Sequence, residues 1–500
     1  MQTTLAGYNI DVEIIELLKR TLQEYRHNSM DSPLLEELLK ELLEEPLTPE
    51  TISAAYARIS RSELGVTDLR RDSRSSVARA RRSNENIVFG LGHSSVAEHA
   101  IFNFDIADAS RLALEALEAH RLASYTESSQ RYIAMSGDFI VPQEISEAGF
   151  SEEFSVLCNE LFNGYRMLMD ILERQFGELS GRERNTRSRE DARYVLPLAC
   201  RGQVGVTVNA RNLEWMIKSF NHSPLAEVRE MGKQMLQTSK RIAPSLIRYT
   251  EPNRSLESAD RFLSFSAGSI KRNSEQPDGT DVVLVDYPHE CEKNVLAALL
   301  FSAGKASLEE CFGFIDNLSP EDRKKYIVTA HKCINAHEPL RRELELGVFT
   351  FSITLSATAF AQFKRHRMAT LIKQNYLPEL GVTTPESIRE AGGSEIFDNC
   401  ISLSNAMYHK LYASLPDENI SAAEYALTNA HRRRVVFQAS ARELNHFSRL
   451  REDKHAQWDI RNIAHEMINK AREVCPNLML FAIGKDGFDQ LSEDLFTGIK

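Results

Sequence analysis

Two short stretches of this chain gather groups suited to an anionic heterocycle. The first, "HRLASYTESSQRYIAM" (120–135), crowds His120, Arg121, Glu127, Ser129 and Arg131 together with too little apolar surface for a core segment. Arginine offers forked donors to phosphate, and serine hydroxyls or backbone N–H groups can read a ring carbonyl. The second, "KRHRMATLIKQNYLP" (364–378), sets Arg365, His366 and Arg367 in succession, with Gln362 one turn earlier. Their side chains leave in different directions, so two can clamp one ligand while the third meets another. A salt-bridged helix end is the plainer reading of an isolated Arg-His-Arg. Ser129 is not read as a nucleophile, because no base stands at a recognisable spacing; hydrogen bonding to a ligand is preferred.

The elements around these stretches repeat. "EAHRLASY" (118–125) matches "KRHRMATL" (364–371), "ARYVLPLACRGQVGVTVNARNL" (192–213) matches "AEYALTNAHRRRVVFQASAREL" (423–444), and "LAEVRE" (from 225) matches "QWDIRN" (from 457). A looser pair joins "GHSSVAEHAIFNF" (92–104) to "AHEPLRRELELGVFTF" (336–351). The order is preserved across the two halves, which means a tandem duplication of a unit of about 220 to 250 residues. The stretch of low hydrophobicity at 251–280 separates them.

Helical periodicity dominates elsewhere. "SPLLEELLKELLEEPLTPE" predicts an amphipathic helix ended by Pro46, and Thr48 with Pro49 predicts the N-cap and first position of the next helix. "LRRDSRSSVARARRSN" reads as a solvated helix face or as a phosphate-facing helix. "GLGHSS" has neither the full GxGxxG spacing nor a preceding strand, so it is a weak dinucleotide signal.

Composition excludes several classes. A net charge of −11 argues against a general nucleic-acid binder, while leaving room for a local basic pocket. No apolar run suits a membrane span, and the first residues lack the order of a secretory signal. Seven cysteines without a CxxC pair predict reduced thiols in a cytoplasmic protein, and Cys333 near His331 and His337 is not read as a metal site.

"GHSSVAEHAIFNF", "HRLASYTESSQRY", "RYVLP" and "VNAR" resemble the flavin-dependent thymidylate synthase family in that family's own order. The second half resembles it through "AHEP", "FTF", "QFKRHRMAT" and "NHFSRLREDKHAQWDIR". The resemblance implies an α+β fold of two tandem domains, each helix-rich with a small antiparallel sheet: 1–252, a linker at 253–279, and 280–500. It implies conversion of dUMP to dTMP, with methylenetetrahydrofolate as carbon donor and NADPH-reduced FAD as hydride source. It also implies a homodimer that imitates the family's tetramer.

Residue by residue, the resemblance assigns substrate binding to Glu127, Ser128, Ser129, Gln130, Arg131, Arg193, Gln362 and Arg365. It assigns cofactor binding to Ser95, Asn209, Arg211, Arg365, His366, Arg367, His446 and His455, with His93 near the flavin, and catalysis to Arg451. Each half has losses. The first has Ala116, Ala119 and Phe220 (or Ser219) where the family has glutamine, arginine and the activating arginine. The second has Lys373, Gln374, Asn375 and Tyr376 in place of the nucleotide loop, and Glu424 in place of the phosphate-reading arginine. The losses are complementary, which predicts composite sites between the halves. A related flavoenzyme acting on another pyrimidine nucleotide, or a non-catalytic nucleotide-binding paralogue, are the competing readings.

Overall fold

The computed structural model describes residues 1–27, 47–252, 254–270 and 281–497. The amphipathic stretch ended by Pro46 therefore lies outside the described residues. Two four-stranded antiparallel sheets organise the chain. The first has the order β1-β2-β4-β3, with β1 Gln2–Tyr8, β2 Ile101–Ser110, β3 Ala123–Glu127 and β4 Arg201–Asn209. The second has the order β5-β6-β8-β7, with β5 Val282–Asp286, β6 Val348–Ser356, β7 Thr370–Lys373 and β8 Arg432–Ser440. Identical strand orders in the two halves bear out the duplication.

Alternation explains the strands. Phe102, Phe104 and Ile106 of β2 point into one core while the residues between them are more exposed, and Phe349, Phe351, Ile353 and Leu355 do the same in β6. The register equates Ile101 with Val348 but Ser110 with Ser356, so β2 carries one extra residue. Asp108 absorbs it at a bulge, with φ +54°. Each central strand then ends in a capping serine. The hydroxyl of Ser110 accepts the Ala113 N–H at 2.9 Å and that of Ser356 accepts the Ala359 N–H at 3.0 Å. These caps start the short helices Arg111–Leu117 and Ala357–Phe363, each of which leads into one of the two polar stretches.

The halves share a core. Helix Ser151–Gln175 packs on helix Ser394–Ser414, and the buried apolar cluster of the first half includes Phe397, Met407 and Leu411 of the second. A pseudo-two-fold axis runs between them, where Pro197 bridges its own counterpart Thr428. Bonds across the axis come in pairs. The Tyr194 hydroxyl meets Asp459 at 3.0 Å, and that of Tyr425 meets Glu227 at 2.9 Å. The Arg111 guanidinium donates to the carbonyl of its counterpart Ala357 at 2.7 Å. Lys364 forms a 2.7 Å ion pair with its own counterpart, Glu118, and both are buried.

Local departures from the sequence reading are small. The described helix after Pro46 begins at Glu50, with Pro49 in the cap position; the Thr48 hydroxyl donates to the Ile242 carbonyl at 2.8 Å instead of only closing the helix. The basic run forms helices Val66–Arg74 and Val77–Asn84. Within it Arg70, Arg74 and Arg81 turn inward onto Asp11, Glu13 and Glu50 at 2.6–2.7 Å, and so serve the fold rather than a phosphate. Part of the segment between the halves is helical, Arg254–Gly268, with Phe262 and Phe265 exposed.

Candidate functional site

Helix Ala357–Phe363 ends just before Lys364, and the chain then turns through Arg365, His366 and Arg367 into β7. His366 is buried against Phe447, and both its ring nitrogens are engaged. Nδ1 lies 3.0 Å from Glu443 Oε1, and Nε2 lies 3.0 Å from Arg451 Nε. Burial, together with the Arg451 and His446 charges, holds this imidazole well below its usual pKa and therefore neutral. Arg365 is half-exposed, 3.8 Å from Glu127 of the first half. Arg367 donates to the Ala123 carbonyl of β3, and Arg121 donates across the axis to Ala369 at 3.2 Å.

The nucleotide-type loop follows β3. The Ser128 N–H donates to the Gln203 carbonyl at 2.9 Å, and the Ser129 hydroxyl accepts the Arg131 N–H at 3.2 Å. Arg131 pairs with Glu190 at 2.6 Å and also reaches the His455 carbonyl of the second half at 3.4 Å. Asn429 of the second half donates to Gln130 at 3.1 Å and to the Arg193 carbonyl at 2.9 Å. Arg193 is buried, and among the described residues its Nη2 has no hydrogen-bond partner; Gln362 Nε2 is likewise buried and unpartnered among them. Burial lowers the Arg193 pKa to about 10. Buried donors without acceptors cost about 1–3 kcal/mol each, a cost that an anionic or carbonyl ligand reaching these two would offset.

Three clefts connect the Glu127–Gln130 loop with the Arg365–Arg367 turn and Arg451. A cleft of about 200 Å³ is lined by the loop from Glu127 to Gln130. Glu127 also lines a second, of about 330 Å³, with Lys364, Arg365 and Arg367. Arg365 and Arg367 in turn line a third, of about 650 Å³, with Arg121, His366, His446 and Arg451. The path runs from the first half's loop to the second half's arginines. Arg451 sits within it, its pKa lowered to about 10 by burial and by the nearby charges of Arg365 and Arg131.

The symmetry-related place is filled. Phe220 stands where Arg451 stands in the other half, 231 positions later at the end of the matching helix, which settles the choice between Ser219 and Phe220. It meets His120, the counterpart of His366, edge to face at 5.3 Å. Arg433, the counterpart of Gly202, is fully buried between the rings of Phe360 and Tyr376. It pairs with Glu115, and with Glu424 at 3.5 Å. Burial works to raise the Glu115 pKa, yet Arg433 and Lys373 hold it well below the usual range, whereas burial lifts Glu424 to about 7 against the pull of Arg433.

A family model described as thymidylate synthase complementing protein matches residues 41–245 and 283–477. The chain belongs to this family. A flavin-dependent thymidylate synthase of Clostridium tetani is 31% identical over 222 residues, 42% of this chain and 86% of that protein. Another, of Geobacter sulfurreducens, is 32% identical over 219 residues, 42% of this chain and 86% of that protein. A UPF0159 protein of Chlamydia pneumoniae is 23% identical over 484 residues, 87% of this chain and 89% of that protein. A solved Helicobacter pylori flavin-dependent thymidylate synthase complexed with FAD and dUMP aligns at 15% identity. It covers 50% of this chain and 100% of that one, with TM-score 0.31. The family's repeat unit thus occurs here twice in one chain.

Not every residue assigned by resemblance to the thymidylate synthase family comes together. Glu127, Ser128, Ser129, Gln130, Arg365, Arg367, His446 and Arg451 line the linked clefts. Arg131, Arg193, Gln362 and His455 line none of them, although Arg131 reaches His455 and Asn429 bonds both Gln130 and Arg193. Ser95, Asn209 and Arg211 line none of the three. Asn209 caps helix Ala210–Asn221 and Arg211 pairs with Glu98 at 2.5 Å, while their counterparts Ser440 and Arg442 line the large cleft. His366, expected to bind cofactor directly, has no free ring nitrogen. His331, beside Cys333, is occupied by the Ile327 carbonyl and the Arg341 N–H. The sequence reading missed Glu443, Asn429, Lys364 and Gly202. Glu443 alone gave a signal, the Ser440-x-x-Glu443 spacing of a capping box, which points to helix ends rather than to a site.

Proposed function

We propose that the chain is a flavin-dependent thymidylate synthase. It converts dUMP to dTMP with methylenetetrahydrofolate and NADPH, at one composite site per chain, in the cytoplasm and as a homodimer. The reading is supported most by the meeting of the Arg131 loop with the Arg451–His455 segment, made by residues 324 apart in the chain. The nucleotide phosphate is held by Arg131, Arg193 and the hydroxyls of Ser128 and Ser129, where a buried guanidinium nitrogen lacks an acceptor. Gln362, with its own unpartnered donor, and Arg365 complete the grip. Arg365, Arg367, His446 and the Arg121 of the other half line a cleft large and cationic enough for a flavin dinucleotide. FAD bound there would, once reduced by NADPH, supply the hydride. Arg451 aims its guanidinium at the pyrimidine and stabilises negative charge as C5 and C6 react.

The test is formation of dTMP by the purified protein with FAD, NADPH, dUMP and methylenetetrahydrofolate, together with relief of thymidine auxotrophy in a strain lacking thymidylate synthase. One flavin per chain is expected by absorbance. Two flavins would break the composite arrangement. No dTMP and no relief would sink the reading.

A further inference from the structure

Arg451 is held differently from the ion-paired arginines near the clefts, by a histidine nitrogen instead of a carboxylate. Arg131 is neutralised by Glu190 at 2.6 Å, and Arg442 by Glu345 at 2.8 Å. Arg451 has one hydrogen bond among the described residues, from Nε to a histidine nitrogen, and no carboxylate partner. Arginine has donors only, so the 3.0 Å contact requires a bare Nε2 on His366. The ring proton must then sit on Nδ1, where Glu443 Oε1 accepts it at 3.0 Å. Ser440 caps the helix that carries both Glu443 and Arg451, donor and acceptor standing 3.2 Å apart, so the two ends of the chain of bonds share one rigid element.

We propose that Glu443 and His366 are positioning residues that fix the Arg451 guanidinium through a Glu443–His366–Arg451 relay, leaving its two terminal nitrogens and its full charge for the ligand. A carboxylate placed directly on Arg451 would orient it equally well but would cancel part of the charge the ligand needs. A neutral imidazole orients without cancelling, and the carboxylate is kept one ring away to choose the tautomer.

The other half is an internal control. There His120 persists but meets Phe220, and Asn212, the counterpart of Glu443, turns its amide onto Asn209 at 2.9 Å. Histidine without a relay survives where the arginine is gone, and both Glu443 and Arg451 are missing together.

This inference rests on the proposed function for its kinetic arm but not for its structural one. In the structural arm, the nitrogen spectrum of histidine-labelled protein, with His366 assigned by its loss in His366→Gln, should show the Nδ1–H neutral tautomer at neutral pH. An Nε2–H tautomer or an imidazolium overturns the relay, whatever the protein catalyses. In the kinetic arm, Glu443→Ala should lower kcat by about 10- to 100-fold, as losses of orienting partners do, with flavin content unchanged and dUMP affinity altered less than about threefold. Glu443→Gln, which still offers an oxygen to Nδ1–H, should recover most of that loss. In an Arg451→Ala background, Glu443→Ala should cost nothing more, since the relay would have nothing left to aim. Multiplying losses in the double variant overturn the proposal, as does failure of the glutamine variant to recover while its melting temperature matches the parent's. Absence of dTMP formation in the parent, with the Nδ1–H tautomer present, defeats the functional reading and leaves the relay standing.

Discussion

The two symmetry-related sites descend from one duplicated unit and now differ at the positions that decide their chemistry. On one side Gly202 and Arg451 line the linked clefts, and the buried Arg193 keeps a donor without a partner among the described residues. On the other Arg433, Glu424 and Phe220 occupy the same three places, and there the terminal nitrogens of Arg433 pair with Glu115 and Glu424, leaving its Nε without a partner among the described residues. A site that has lost its ligand cannot simply be left empty, because its orphaned polar groups would each cost about 1–3 kcal/mol. The second loop solved this by supplying its own counter-charges. What looks in the sequence like decay is, in the fold, the conversion of a binding site into core.

The largest contrast is expected at Arg451 and Phe220. Arg451→Ala should lower turnover by about 10²–10³-fold, as removal of a preorganised charge donor does, with the melting temperature nearly unchanged. Phe220→Ala should leave nucleotide affinity intact and instead destabilise by about 3–5 kcal/mol, because Phe220 is fully buried. Equal effects of the two on turnover would erase the distinction between the sites.

Arg433→Ala tests the plug directly. It removes the ion-pair partner of Glu424 and leaves Glu115 with Lys373 alone as a cationic partner, and should cost about 3–5 kcal/mol in chemical denaturation, with dUMP binding at the other site retained. If that variant is as stable as the parent, the filled site is not core.

Next in size are the phosphate-facing arginines. Arg131→Ala and Arg193→Ala should each weaken dUMP by about 1.5–3 kcal/mol in calorimetric titration of flavin-loaded protein, whereas Asn375→Ala, in the altered loop, should leave it unchanged. Unaltered binding by Arg131→Ala would remove the loop from the site.

The smallest effect is in pH. The folded-state pKa of Glu424 is raised to about 7, so the folded form keeps its proton where the unfolded form has lost it. Its contribution is fully present below the unfolded value, near 4.5, and is lost as pH rises through about 7. Glu424→Gln keeps an acceptor for the Tyr376 N–H and cannot ionise. The melting temperature of this variant relative to the parent should therefore rise between pH 5 and pH 8 (a window set by that shift). A flat difference would place the Glu424 pKa in the ordinary range.

Much of this was legible in the chain itself. The duplicated sheets follow from three blocks kept in order, and the loop and the Arg-His-Arg run announced themselves by carrying more polar groups than a core segment tolerates. Legibility failed where meaning depends on what lies opposite. Arg433 sits in "HRRR", where nothing in the sequence marks it from its neighbours, although two rings and two carboxylates enclose it. His366 reads as a ligand contact, and only the approach of Glu443 and Arg451 from a helix some 80 residues away reveals both nitrogens as spent. Gln457, Trp458 and Asp459 resemble a signature of the site, yet Gln457 and Asp459 bond Tyr194, Trp458 bonds Asp191, and all three serve to join the halves. Ser95, Asn209 and Arg211 were assigned by likeness in the half whose arginine run had lost its first member, and likeness alone does not say which copy keeps a contact.

The Lys364–Glu118 pair carries a consequence for how this architecture can change. In an assembly of identical subunits, a position on the two-fold axis faces itself, so any charge there meets its own kind. Here the two occupants are opposite and buried at 2.7 Å. Two first halves brought together would set glutamate against glutamate, and two second halves lysine against lysine. Each half has thus become a partner specific to the other, and the route back to a symmetric assembly built from either one is closed by a single pair of residues.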